Sequence, residues 1–266
     1  MNAGYAVART PLQISVAVLR ALVLREMLQR LFAARGAWAW LLVEPLFHAF
    51  YLTLIYSVIR IRFIGGIDTV LWLLSGLMGY FLFSRTASQV SGAIAANRPL
   101  FSYRQVKPLD TGIARAILEA CLMTIIMVAV FSGAALFGHI LRPDEPLTVL
   151  LGLGSSWLTG AGWGLIISIA KDILPELGTL IDLLIQRPLY LISGVVVPLS
   201  ALPPQIREVL MLNPLAHALE LMRVGIAMHY HTAPESNLTY PAIASLVLVF
   251  IGVLLVRRFG WKVLAK

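Results

Sequence analysis

The chain has 266 residues, 59% of them hydrophobic and only 13% charged, with a net charge of +8. An ordinary soluble domain carries about 25% charged residues, so this composition excludes one and points to a basic membrane protein. A single cysteine, Cys121, excludes an internal disulfide framework and a thiolate metal cluster, so packing alone must hold the fold.

The N-terminal residues lack the basic, apolar and small-residue pattern of a secretory leader, and no cleaved signal peptide is expected. Residues 12–33 form the first element. Val23, Leu24, Met27, Leu28 and Leu31 share one side of a helix, while Arg25, Glu26, Gln29 and Arg30 share the other. This pattern predicts a helix lying in the membrane interface. A bilayer core needs about 20 mainly apolar helical residues, and six windows of that kind follow, at about 40–59, 70–90, 113–140, 147–170, 177–199 and 240–256. The first contains Glu44 beside Pro45, and the second has Arg85 near its end. The third opens with Arg115 and Glu119, whose spacing allows an i,i+4 pair. The fourth is uncharged, and Gly152, Ser156, Gly160, Gly164 and Ser168 line a strip of small residues along it. Such strips let helices approach closely, here more within the chain than across a dimer. The fifth carries Asp182 and Arg187 and is interrupted by Pro188, and the sixth stops at Arg257 and Arg258. Between these last two, Pro198 to Tyr230 is apolar but broken by Pro203-Pro204 and Asn213-Pro214. It is too short for two crossings, so it is read as two short helices that dip into the outer leaflet and return. The predicted fold is therefore an all-α polytopic membrane protein, one transmembrane domain over residues 1–266.

Cytoplasmic loops retain Lys and Arg. Most of the 21 cations fall at one end if both termini are inside, including Arg9, Arg20, Arg98, Arg104, Lys107, Lys171 and Arg257. Both termini are accordingly expected in the cytoplasm. Charges within spans usually face a partner or a water-filled cavity. Glu44, Arg115 and Glu119 are expected to pair at the interface, whereas Asp182 and Arg187 should lie deeper. The connection Asn97 to Asp110 mixes Arg98, Arg104 and Lys107 with Leu100, Phe101, Tyr103 and Val106, the composition of a protein-docking knob rather than a passive linker. No Gly-Lys dipeptide is present to build a phosphate-binding loop, and the five histidines do not assemble a metal motif. Energy for uphill transport would have to come from another subunit or an ion gradient, and six spans without internal repeats fit a secondary transporter poorly.

The interfacial helix, the entry Trp40-Leu41-Leu42-Val43-Glu44-Pro45, the block from Asn97 to Glu119, and Asn213-Pro214-Leu215-Ala216-His217 through Glu220 and Arg223 carry a likeness over nearly the whole chain. Together they resemble the ABC-2 type permeases that export capsular polysaccharide from Gram-negative bacteria. The resemblance implies a homodimer in the inner membrane, two cytoplasmic ATP-binding cassette subunits that hold ATP and Mg, and a periplasmic co-polymerase-type partner. It implies no cofactor on this chain, no covalent chemistry and no nucleic-acid partner. By position, Asn97, Arg98, Leu100, Phe101, Tyr103, Arg104 and Lys107 would dock in the ATPase, with Lys171, Asp172 and Glu176 as a second cytoplasmic contact. The implied cargo is an acidic polysaccharide with a lipid terminus, which needs a basic, wet route. Arg85, Asp182, Arg187, Arg207 and Arg223 are expected along it, and Arg98 and Arg104 are expected to serve the same polymer. Arg60, Arg62 and Arg142 also oppose the topology rule and are further places to expect acidic cargo. Two other readings stand beside this one. A related permease for O-antigen or teichoic acid would share the architecture, although the short tail after Arg258 favours capsule. An integral membrane sugar or acyl transferase would need clustered acids or a His/Asp pair, and here the acids are dispersed.

Overall fold

The computed structural model of the chain describes residues 10–32, 37–59 and 61–264. In order, α1 spans Pro11–Phe32, α2 Ala37–Ile59, α3 Thr69–Ser91, α4 Ala93–Ala96, α5 Pro108–Leu136, α6 Pro146–Ile173, α7 Pro175–Ile192, α8 Pro204–Leu210, α9 Pro214–Ile226 and α10 Tyr240–Leu264. A hairpin of β1 (Phe63–Ile64) and β2 (Ile67–Asp68) joins α2 to α3, and a 3-10 turn occupies Arg98–Ser102.

Local chemistry explains most helix starts. Pro11, Pro108, Pro146, Pro175, Pro204 and Pro214 each open a helix, where a fixed φ helps and a missing N–H costs nothing. At α3 the Asp68 carboxylate accepts from the N–H groups of Val70 at 3.0 Å and Leu71 at 3.3 Å. Asn213 caps α9 in the same way, accepting from Leu215 at 3.0 Å. At α5 the Lys107 N–H donates back to Asp110 at 2.9 Å.

The helices α3, α5, α6 and α10 are each long and apolar enough to cross a membrane. The pair α8 and α9, bent by 101° at Asn213-Pro214, adds a fifth span if it is counted as one. Several elements differ from expectation. The helix expected from 113 begins at Pro108, which moves Arg115 and Glu119 from its opening turns into its third and fourth. α10 continues past Arg257 and Arg258 to Leu264. α7 is not broken by Pro188 but runs through it, as α2 runs through Pro45, and it ends early, at Ile192. Proline inside a membrane helix is tolerated because neighbouring groups satisfy the freed carbonyl. The hairpin was not expected. Gly65 and Gly66, at φ +59° and +96°, make its two-residue turn, a conformation that suits glycine at both positions.

The interior sits between α3, α6, α9 and α10. Trp72, Leu77, Met78 and Phe83 of α3 are enclosed on every side. The small-residue strip of α6 lies against this wall. A Cβ at Gly160 would stand 2.5 Å from the Phe83 carbonyl oxygen, so only glycine allows that approach. The strip is thus consumed within the chain. Outward, α5 and α10 present Ile125, Val128, Leu246 and Phe250, the faces a lipid solvent favours.

Candidate functional site: two polar nodes at opposite ends of the bundle

The first node forms where α1 crosses the start of α5. In water an amphipathic helix turns its apolar face inward; α1 buries Leu22 but also turns a charged residue in. Leu24 and Leu28 are exposed, while Glu26 is buried and 4% accessible. One Glu26 oxygen accepts from Asn97 Nδ2 at 3.0 Å and from Arg115 Nε at 3.0 Å, and the other lies 3.9 Å from Arg30 Nε. Arg30 also pairs with Glu119. Arg25 donates to Asn97 Oδ1 at 2.9 Å, and Asn97 Nδ2 reaches the Ala93 carbonyl at 3.0 Å. Arg115 donates further to the Gln89 carbonyl at 3.0 Å. Burial pushes the Glu26 carboxyl up, but the Asn97 and Arg115 hydrogen bonds and the neighbouring guanidinium charges outweigh it, so the group is held below its ordinary range.

This arrangement corrects two expectations. Arg115 and Glu119 both turn to α1 rather than to each other, because a partner on another helix also satisfies the buried Glu26 and Arg30. Asn97, expected at the docking surface, is 1% exposed, its amide bonded to Arg25, Glu26 and the Ala93 carbonyl. The rest of the expected docking segment divides by exposure. Leu100 is half-buried, and Phe101 packs against the cluster of Val90, Ile94, Ala116 and Leu165, whereas Arg98, Tyr103, Arg104 and Lys107 face out. Arg98 pairs with Asp172 at the end of α6, and Lys171 donates to Ser91 Oγ at 2.9 Å. The two expected cytoplasmic contacts are therefore joined to each other. Glu176, in the first turn of α7, is exposed.

The second node lies at the other end, around α9. Glu220 and Arg223, three residues apart, are wholly enclosed and paired at 3.0 Å. Arg223 Nη2 donates to the Gly194 carbonyl at 2.8 Å, and its guanidinium carbon sits 3.7 Å from the Trp72 ring centroid, a cation–π contact. Tyr230 donates to Glu220 at 3.2 Å and accepts from Trp72 Nε1 at 3.1 Å. The Ala233 N–H, at 3.4 Å, reaches the second Glu220 oxygen. The Tyr230 ring in turn lies under the hairpin, where a Cβ on Gly65 would come within 2.5 Å of it.

Among the residues expected along a polymer route, Arg223 has no surface to offer a polymer in this structure, because its charge is spent on Glu220, Gly194 and Trp72. Arg207 is tied to Glu235 by two bonds, at 2.7 and 2.9 Å, and this fork holds the Glu235 carboxyl below its ordinary range. Arg85 reaches Glu44 at 3.6 Å, with Glu44 largely exposed. Asp182 and Arg187 belong to α7, but their side chains lie outside the described residues, as does Arg60. In the sequence Glu26, Arg25 and Arg30 mark only a polar, cytoplasmic helix face, and Trp72 and Tyr230 sit in apolar stretches. The Glu26–Arg30 and Glu220–Arg223 spacings were the available signals. No group of three or more metal-ligating side chains forms among the described residues.

A mostly helical chain with four long apolar helices and a bent helix pair among its described residues has the make-up of a polytopic membrane protein. Residues 17–227 match the family model for the ABC-2 type transporter, and the chain belongs to that family. It is 36% identical to the polysialic acid transport protein KpsM of Escherichia coli over 254 residues, 94% of this chain and 96% of that one. The capsule polysaccharide export inner-membrane protein CtrC of Neisseria meningitidis serogroup A is 29% identical over 246 residues, 91% of each chain. BexB of Haemophilus influenzae, with the same descriptive name, is 26% identical over 247 residues and likewise covers 91% of each.

Proposed function

We propose that this chain is the membrane permease of an ATP-driven exporter that moves a lipid-linked acidic capsular polysaccharide across the inner membrane. Two copies would form the pathway, with both termini in the cytoplasm, six spans per copy and α8–α9 re-entering from the periplasmic side. Two cytoplasmic subunits would bind ATP and Mg, and a periplasmic co-polymerase-type partner would continue the route. The names and coverage of the relatives support the cargo class. The observation that carries the mechanism is the anchorage of the segment 97–107. Asn97 is bonded to α1 and Arg98 to Asp172 at the end of α6, while Tyr103, Arg104 and Lys107 face out.

In this reading, Tyr103, Arg104 and Lys107 meet the ATPase, with Glu176 beside them. Movement of that surface on nucleotide closure pulls Asn97 and, through Glu26 and Arg115, shifts α1 against α5. Packed helices then exchange between discrete arrangements that differ in access for the polymer. Arg85, Arg187 and Asp182 are the remaining residues assigned to the polymer route. The test is ATP hydrolysis by the reconstituted complex. Tyr103→Ala should lower substrate-stimulated hydrolysis while the permease folds normally, and undiminished stimulation would overturn docking at this surface. Phe101→Ala removes a half-buried ring from the core and should cost stability as well.

A further inference from the structure

The end of the bundle that carries the hairpin holds a cleft with two unlike halves. Its mouth is a cavity of about 740 Å³ whose lining includes Tyr56, Arg62, Phe63, Asp68 and His139. Its inner reach, about 400 Å³, runs between α2, α3 and α5 and is walled by Leu46, Phe50, Leu74, Val130 and Phe137. Thr53, Val70 and His139 line both, so the two cavities adjoin, a more polar one beside an apolar one.

The mouth offers an anion one uncommitted cation, while its carboxylate is turned to other partners. The Asp68 carboxylate is already occupied, capping the Val70 and Leu71 N–H groups and meeting His139 Nδ1 at 3.0 Å. Arg62 is exposed and has no ion-pair partner among the described residues. Tyr56 and Phe63 supply the aromatic flank typical of a membrane boundary. The apolar reach fits a chain of one leaflet. From Leu46 to Tyr56, α2 rises about 15 Å, and half of a hydrocarbon core of about 30 Å is the same depth. Phe50 and Phe137, strongly exposed, stand at its open side. A free sugar or phosphate would fill the mouth and leave this reach empty.

We propose that the cleft between α2, α3 and α5 holds one anionic phospholipid, its acyl chain along the Leu46, Val130 and Phe137 wall and its phosphate at the Arg62 mouth. With the orientation proposed above, this is a lipid of the outer leaflet. An inverted orientation would change the leaflet but not the binding, so the two ideas fail separately.

The test is native mass spectrometry of the full-length chain in detergent, titrated separately with phosphatidylglycerol and phosphatidylcholine. The parent should retain phosphatidylglycerol in preference. Arg62→Gln should reduce that preference about fivefold, the scale of one exposed charge-assisted contact. Gly133→Leu should lower retention of both lipids, because a Cβ at Gly133 meets nothing within 4 Å and the added side chain has open space beside the apolar reach. Ala134→Leu provides an independent filler should that variant not fold. Excess inorganic phosphate should leave the bound lipid in place. Equal retention of the two lipids by the parent, retention unchanged in the variants, or displacement by phosphate alone would overturn the proposal.

Discussion

The two polar nodes use similar residues, and partners are shared in both, but they differ in enclosure and reach. Around α9, Glu220 and Arg223 lie three residues apart on one helix and are wholly enclosed; Glu220 serves Arg223, Tyr230 and the Ala233 N–H, and Arg223 serves Glu220, the Gly194 carbonyl and the Trp72 ring. Around α1, Glu26 serves Asn97, Arg115 and Arg30, and Arg30 also serves Glu119, with the guanidinium groups partly exposed. The first node is closed within one end of the bundle. The second bridges α1, the 97–107 segment and α5, and it is there that the proposed function puts motion.

The largest effect should come from breaking the enclosed node. Arg223→Ala leaves Glu220 buried without its counter-charge, a change of about 3–5 kcal/mol. Thermal unfolding of the purified chain should show a large loss, and a variant of parental stability would remove this node from the account. Asn97→Ala should cost less, about 1–3 kcal/mol for the polar groups left unmet. It should weaken coupling more than stability, since α1 and the knob lose their shared hinge. Smaller still is the pH response of Glu26. Its folded-state carboxyl lies below its unfolded value, so its stabilisation is complete above the ordinary carboxylate range and fades as pH falls through the depressed folded value. Glu26→Gln should flatten the acid limb of a stability-against-pH curve, and an unaltered limb would show that Glu26 is not the group responsible.

Much of this architecture is legible from spacing and composition. The apolar windows locate α3, α6 and α10 to within a few residues at their starts, because membrane length and helix rise set the same scale. The close packing of α6 follows from Gly152 to Ser168 at four-residue intervals. Sequence is silent where partners are distant in the chain. Arg115 and Glu119 look like neighbours on one helix, and nothing local says that Glu26 and Arg30, almost 90 positions away, compete for them and win. Arg223 looks like a stray cation for a polymer until Trp72 and Gly194 are seen to enclose it. The division of the knob into anchor and surface was equally hidden, because Asn97 and Tyr103 are both polar enough to face water. Long-range burial, not residue type, separates them.

The central claim is that the Asn97–Glu26–Arg115 node carries motion from the ATPase surface to the membrane helices. Its most direct test compares ATP hydrolysis and polymer export in the same vesicles, with the assembled complex carrying Glu26→Gln. The variant keeps the exposed Tyr103, Arg104 and Lys107 surface and removes the charge that Arg115 and Arg30 share. Hydrolysis should persist while polymer exported per ATP falls sharply. Export and hydrolysis both at parental levels would contradict the account.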